Sequence, residues 1–343
     1  MNIIEWKKLF PENWSAAIFV SYMILFVNQG ILVRWSQGKG STYEYNTVTV
    51  VLLTEVLKLV VSISIYCLGN DVKNMFVEMV KYKKVFLLYM IPSFLYCLYN
   101  NLAFVNLAVF DPTTYYLLLQ FRVVITGIVF QMVFKKTLST RQWISLILLT
   151  VGCMVKQFNV NFQVSTIVPA LEFNVNTFFI FIQTLCSCLA GVYNEYLLKA
   201  QGANINILLQ NAFMYTDSVI CNLAVLTAQG DILQSFDNVG PSIFSRPEVV
   251  LIMINNAAIG IVTSFFLRHL NSILKTFASA LELVFTAVLC WIIFGIPLDA
   301  NTIIAIAIVS YSIVLYSQSP VQNVQQNSAV ELDIQSEDRK VLV

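Results

Sequence analysis

The chain has 343 residues, 58% of them hydrophobic and 11% charged, with a net charge of +1 and a mean hydropathy of +0.74. Soluble domains carry roughly 45–50% apolar and about 25% charged residues, so this composition excludes an ordinary soluble domain. The near-neutral charge balance gives no polybasic footprint for nucleic acid.

Runs of about 20 apolar residues recur along the whole chain, the length at which a helix crosses a bilayer. They predict ten spans, at 14–35, 46–68, 85–108, 113–134, 142–158, 177–198, 208–229, 249–268, 273–294 and 300–318. Residues 1–13 form a charged arm before a full-length span, and do not read as a cleavable signal peptide. The breaks between spans are polar and turn-like, among them SQGKGSTYE, GNDVKNMFVEMVKYKK and KKTLSTR. Residues 319–343 read as a polar, disordered tail. With the N-terminus in the cytosol, thirteen of the 20 Lys and Arg residues fall on the cytosolic side, four on the other and three inside spans. That bias places both termini in the cytosol.

Taken in chain order, the polar residues inside the spans are few. Span 2 holds Glu55 and Lys58, three apart on one helix face, which reads as a structural charge pair. Span 3 carries Asn100 and Asn101. Span 4 places Arg122 about ten residues from either end, beyond the reach of snorkelling, where an Arg costs about 2.5–3.5 kcal/mol on insertion scales. It must therefore face a polar interior. Tyr115, seven residues earlier, is expected on the same face. Glu195 and Lys199 at the end of span 6 read as a second structural pair. Span 7 carries Asn211 and Tyr215, four apart, with Asp217 close behind. Span 9 lines up Lys275, Ser279 and Glu282 along one face, although a lysine one turn inside a span also has the option of snorkelling.

Any one of these residues alone is more often a helix–helix contact than a ligand contact. Together they offer cations for phosphate, amides for a base edge and tyrosines for stacking, a set that suits a phosphorylated metabolite. The seven cysteines lie in apolar runs without CxxC spacing, and His269 is the single histidine. Neither a disulfide framework, a metal site nor any other cofactor is expected. GxSxG, HExxH, Walker A and GxGxxG patterns are absent, so the reading is a transporter and not an enzyme.

A shift of 160 residues lays span 4 on span 9 without gaps. Leu107 falls on Leu267, Thr126 on Thr286 and Phe134 on Phe294, while Arg122 meets Glu282 and Tyr115 meets Lys275. Five spans, an odd number, separate the halves. The expected fold is therefore all-α, with ten transmembrane helices in two inverted five-helix repeats, 14–158 and 177–318.

TEVLKL in span 2, YNNLAF in span 3, DPTTYYLLLQFRVV in span 4, LSTRQWISLILLTVGC after it, GVYNEYLLK in span 6 and NSILKTFASA in span 9 occur in an order that resembles the Golgi nucleotide-sugar transporters. The likeness covers about 14–318 and points to the branch of CMP-sialic acid, UDP-galactose and UDP-N-acetylglucosamine carriers. It implies exchange of a UDP-sugar, UDP-galactose foremost, for UMP across the Golgi membrane, with the bilayer and these nucleotides as partners and no nucleic acid. A different UDP-sugar, or more remotely a non-transporting scaffold, stays open at this point, as does a homo-oligomer. The resemblance assigns phosphate binding to Arg122 and Lys275, and further substrate contacts to Asn100, Asn101, Tyr115, Asn211 and Tyr215; Ser279 and Glu282 join them on the face of Lys275. Arg122 stands where CMP-sialic acid carriers have lysine, and Glu282 where relatives commonly have a small residue.

Overall fold

The computed structural model describes residues 9–10, 12–36, 47–109, 115, 118–157, 175–229, 244–294 and 300–321. The predicted tail beyond 321, most of the N-terminal arm and the start of the fourth predicted span lie outside the described residues. The described chain is helical throughout: α1 (Asn13–Ser36), α2 (Thr47–Gly69), α3 (Val72–Lys81), α4 (Lys83–Val109), α5 (Arg122–Phe134), α6 (Thr140–Gln157), α7 (Val175–Tyr196), α8 (Ile207–Gln229), α9 (Pro247–His269), α10 (Ser272–Phe294) and α11 (Ala300–Ser317). A π-helical turn, Leu197–Gln201, prolongs α7. Five of the described helical segments are long and apolar enough to cross a membrane by themselves, and the chain is an all-helical multi-span membrane protein.

Two expectations change. Among the described residues eleven helices are present, one beyond the ten predicted: the additional one, α3, is a ten-residue amphipathic helix inside a stretch that reads as a turn. Its apolar period is too short to register as a span, which is why the sequence hid it. The fourth span is also not one uninterrupted rod with Arg122 at its centre. Leu118 and Leu119 are helical, Gln120 and Phe121 form a turn, and α5 begins at Arg122. At the turn the backbone tightens: Phe121 N–H donates to the Leu118 carbonyl at 3.2 Å and Val123 N–H to that of Gln120 at 3.1 Å. Such i→i+3 bonds mark a local departure from α geometry.

In a bilayer the solvent is as apolar as the side chains, so helices associate through close packing and buried polar bonds. Both are visible. α6 packs along α11, and α2 along α8; α4 lies against α7 and α8, and α9 against α1 and α2. α5 lies against α6 and α7, α10 against α1 and α11, and α5 and α10 also meet. Large fully buried rings fill the centre, with Phe277 and Tyr316 centroids 4.4 Å apart and Tyr22 and Phe266 4.8 Å apart. Side-chain bonds then fix pairs of helices. Tyr89 donates to Gln210 at 2.8 Å (α4 to α8). Asn106 donates to Gln183 at 2.6 Å (α4 to α7). Asn255 donates to the Leu25 carbonyl at 3.0 Å (α9 to α1).

A buried ionic knot ties α7 to the start of α10. Lys199 and Glu195, both essentially inaccessible, pair at 2.6 Å. The lysine also donates to the Leu270 carbonyl, and the second Glu195 oxygen accepts from Ser272 N–H at 2.7 Å. Asn271 caps the same helix by accepting from Leu274 N–H at 2.7 Å. Two orphan donors of the first turn of α10 are thereby satisfied.

Glu195→Gln leaves the buried Lys199 without its counter-charge and is expected to destabilise the protein by about 3–5 kcal/mol, seen as a lower melting temperature in detergent. At the α6–α11 contact a Cβ on Gly152 would sit 2.9 Å from a Val309 methyl and 3.3 Å from its backbone nitrogen, whereas one on Gly69 meets nothing within 4 Å. Gly152→Leu should cost about 1–3 kcal/mol by overpacking; Gly69→Ala should leave the melting temperature near that of the native chain.

Candidate functional site

Arg122 and Lys275 line one cavity of about 90 Å³, together with Thr126 from α5, Ser187, Cys188 and Gly191 from α7, and Ser272, Thr276 and Ser279 from α10. The local folding explains the convergence. Arg122 is the first residue of α5 and Lys275 lies in the first turn of α10. Both helices thus present their N-terminal turns, the positive end of the helix dipole, to the same space. Around Arg122 the walls are stitched: Thr126 donates to the Cys188 sulfur at 3.3 Å, and the Cys188 thiol donates to the Arg122 carbonyl at 3.3 Å. Lys275 and Arg122 thus carry like charges on the walls of one small cavity. Two cations and a rim of hydroxyls are the groups that suit a multiply charged anion.

Tyr22 of α1 is fully buried and hydrogen-bonds Ser279, a residue of this cavity's wall. Ser272 is one of the cavity's residues, and its Oγ is buried with no hydrogen-bond partner.

Lys275 also walls a second cavity, of about 210 Å³, formed by Glu55 and Lys58 of α2, Tyr96 and Asn100 of α4, Asn194 of α7, Tyr215 and Ser218 of α8, and Gly260, Thr263 and Ser264 of α9. Glu55 and Lys58 form the expected pair, 2.7 Å apart, and they do so at the wall of this cavity. The Lys58 ammonium sits 5.6 Å from the Tyr215 ring centroid, within cation–π range. Gly260 allows that approach: a Cβ there would lie 2.8 Å from Lys58 Cε and 2.9 Å from the Tyr215 hydroxyl.

Of the residues singled out in the sequence, Arg122, Lys275 and Ser279 meet in the first cavity, and Asn100 and Tyr215 meet Glu55, Lys58 and Lys275 in the second. Glu282 lies one turn beyond Ser279 on α10 and lines neither cavity. The others line neither. Tyr115 is buried against Leu118, Leu119 and Ile180 and accepts a bond from Gln183 at 2.7 Å. Asn101 donates back to the Cys97 carbonyl of its own helix at 2.8 Å. Asn211 is buried with its amide nitrogen unpartnered. The turn at Gln120–Phe121 separates Tyr115 from Arg122, so a seven-residue spacing no longer means a shared face.

Sequence reasoning passed over Tyr22, Thr126, Cys188, Ser272, Thr276, Tyr96, Asn194 and Gly260. Some had a signal. Tyr96 precedes Asn100 by four residues, and Ser272 precedes Lys275 by three, on the same helix faces. Tyr22, Thr126 and Gly260 had none, because only packing between helices brings them in.

The sequence matches the family described as "Nucleotide-sugar transporter" over residues 15–317, and the chain belongs to that family of membrane transporters. Among individual relatives, it is 54% identical to the UDP-galactose transporter senju of Drosophila melanogaster, covering 93% of this chain and 90% of that protein. It is 30% identical to CMP-sialic acid transporter 1 of Oryza sativa subsp. japonica, over 85% of this chain and 91% of the relative. CMP-sialic acid transporter 2 of Arabidopsis thaliana is also 30% identical, over 89% and 76%. A solved structure titled only "Crystal structure of protein" shares the fold, with a TM-score of 0.62 at 13% identity over 90% of this chain and 97% of that one.

Removing one of two like charges from a buried cavity relieves repulsion and desolvation. Lys275→Met is expected to raise the stability of the ligand-free protein by about 1–2 kcal/mol, as a residue held for binding and not for folding should. A melting temperature below that of the native chain would show instead that Lys275 is part of the structural frame.

Proposed function

We propose that this chain carries UDP-galactose into the Golgi lumen in exchange for UMP. The observation that carries the reading is the shared cavity of Arg122 and Lys275. A diphosphate brings about two negative charges, and a nucleoside monophosphate about 1.5–2 near neutral pH, so either neutralises the two cations and their exchange moves little net charge. The 54% identity to a protein called a UDP-galactose transporter supports galactose as the sugar. The amides of Asn100 and Asn194, the rings of Tyr96 and Tyr215 and the Glu55–Lys58 pair offer the second cavity as the place for base and sugar.

The membrane arrangement belongs to the same proposal. Ten helices, all but α3, cross the bilayer with both termini in the cytosol, as two inverted repeats. The packing supports this. Pairing α1 with α7, α2 with α8, α4 with α9, α5 with α10 and α6 with α11 turns the set of major contacts into itself: α4–α7 becomes α9–α1, α5–α7 becomes α10–α1, and α2–α8, α6–α11 and α5–α10 are unchanged. The two cations then sit on counterpart helices at the axis between repeats, where alternating access pivots. With no anion bound, Arg122 and Lys275 repel, and each repeat resists passage through the occluded state. A bound phosphate removes that barrier, so the carrier returns only when loaded.

In proteoliposomes loaded with UMP, UDP-galactose uptake is expected to be fast for the native chain and reduced about 10- to 100-fold in Arg122→Gln, the loss of one charged hydrogen-bonding partner. UDP-N-acetylglucosamine and CMP-sialic acid serve as competitors. Uptake of Arg122→Gln at the native rate, or better competition by CMP-sialic acid than by UDP-galactose, would contradict the proposal.

A further inference from the structure

The short helix α3 has no part in either cavity, and its surface is unusual. Met75 is buried and Met79 packs with Tyr66, Tyr89 and Phe213, so one edge of the helix is held by the protein. Glu78 accepts a 2.8 Å bond from the Tyr66 hydroxyl, which pins α3 to the end of α2. The neighbouring edge is apolar and covered by nothing: Val72, Phe76, Val77 and Val80 are 53%, 60%, 65% and 71% exposed. Val72, Phe76 and Val80 recur every fourth residue and form one stripe. Exposed apolar side chains continue on both flanks, at Leu68 at the end of α2 and Leu87 in the first turns of α4. Those flanks lead into membrane-crossing segments, so the stripe joins the lipid-facing surface.

Beside the stripe stand four exposed lysines, Lys73, Lys81, Lys83 and Lys84. Two acids offset them, Asp71 and Glu78, and the second is occupied by Tyr66. An amphipathic helix with an apolar stripe and a basic flank lies in the headgroup region of a bilayer, its apolar side in the acyl boundary and its ammonium groups among phosphates. We infer that α3, with the lysines that follow it, is a fixed docking surface for anionic phospholipid at the membrane face from which α2 and α4 emerge. Because α3 is pinned by Met75, Met79 and Glu78, lipid bound there is held at one end of the α2–α4–α8 group whose other side walls the second cavity. The inference rests on the membrane placement of α2 and α4 and does not need the transport reading.

The test is amide hydrogen exchange of the full chain in nanodiscs of phosphatidylcholine alone and of phosphatidylcholine mixed with phosphatidylserine. Exchange across residues 72–84 is expected to slow several-fold when phosphatidylserine is present. Lys73→Gln, Lys81→Gln, Lys83→Gln and Lys84→Gln together should abolish that difference, since each lysine near a charged surface contributes about fivefold to the preference. Phe76→Asp with Val80→Asp should speed exchange in both lipids, while peptides from α8 exchange as in the native chain and so report an intact fold. Equal exchange of the native helix in the two lipids overturns the selection of anionic headgroups. So does equal slowing by inorganic phosphate in pure phosphatidylcholine, which would mark a soluble-anion site. Native exchange in Phe76→Asp with Val80→Asp overturns insertion itself. UDP-galactose exchange by the same variants, measured in parallel, keeps failure here distinct from failure of the transport proposal.

Discussion

Two positive side chains held in one small cavity repel each other, and most of what surrounds them serves to keep them there. Arg122 opens α5 and Lys275 lies in the first turn of α10, so the docking of these two helix starts places both cations on one cavity. The sulfur of Cys188 clamps the Arg122 turn through its carbonyl, and Asn271 with Glu195 clamps the start of α10. The repulsion is thus stored against a rigid frame. On the proposed transport reading, an anion that enters lowers the energy of both cations at once, so that occupancy and conformational freedom become the same event.

The frame uses a small number of expensive parts. The Glu195–Lys199 pair is fully withdrawn from solvent, a placement that costs several kcal/mol per ion before any gain. Its value lies in position. Glu195 caps the helix that bears Lys275, and Lys199 holds the Leu270 carbonyl just before it, so α7 and α10 share one rigid joint. Spans 6 and 9 are far apart in sequence, and the joint fixes the start of the helix that bears Lys275 against α7. The Glu55–Lys58 pair plays a different part. It is partly exposed, lines the second cavity and leans on Tyr215.

Much of the fold was readable from apolar run lengths, because a bilayer imposes a length on every crossing helix. The predicted spans agree with α1, α2, α4 and α6 to α11 to within two residues at nearly every described end. The failures are informative. α3 was missed because its ten residues expose apolar and charged groups together, a pattern that composition reads as a polar break. The turn before Arg122 was missed because LLLQFRVV contains no Gly or Pro to announce it; that break is set by how α5 docks on α7 and α10. The site was partly readable for a related reason. A charge inside a membrane is costly enough to declare itself, so Arg122, Lys275, Glu55 and Lys58 stood out. Thr126, Cys188 and Tyr22 are ordinary residues for a helix interior, and nothing in their own stretch of chain marks them.

By itself the sequence determined that the chain crosses a membrane many times and that cations must be sheltered inside, since those follow from local composition and the energy of burying charge. Only the tertiary structure decided that Arg122 and Lys275 share a cavity, that Tyr115 and Asn211 stand outside it, and that Glu55 and Lys58 face into its neighbour. Those outcomes depend on helix rotation and on breaks in the backbone, both set by contacts between segments distant in sequence.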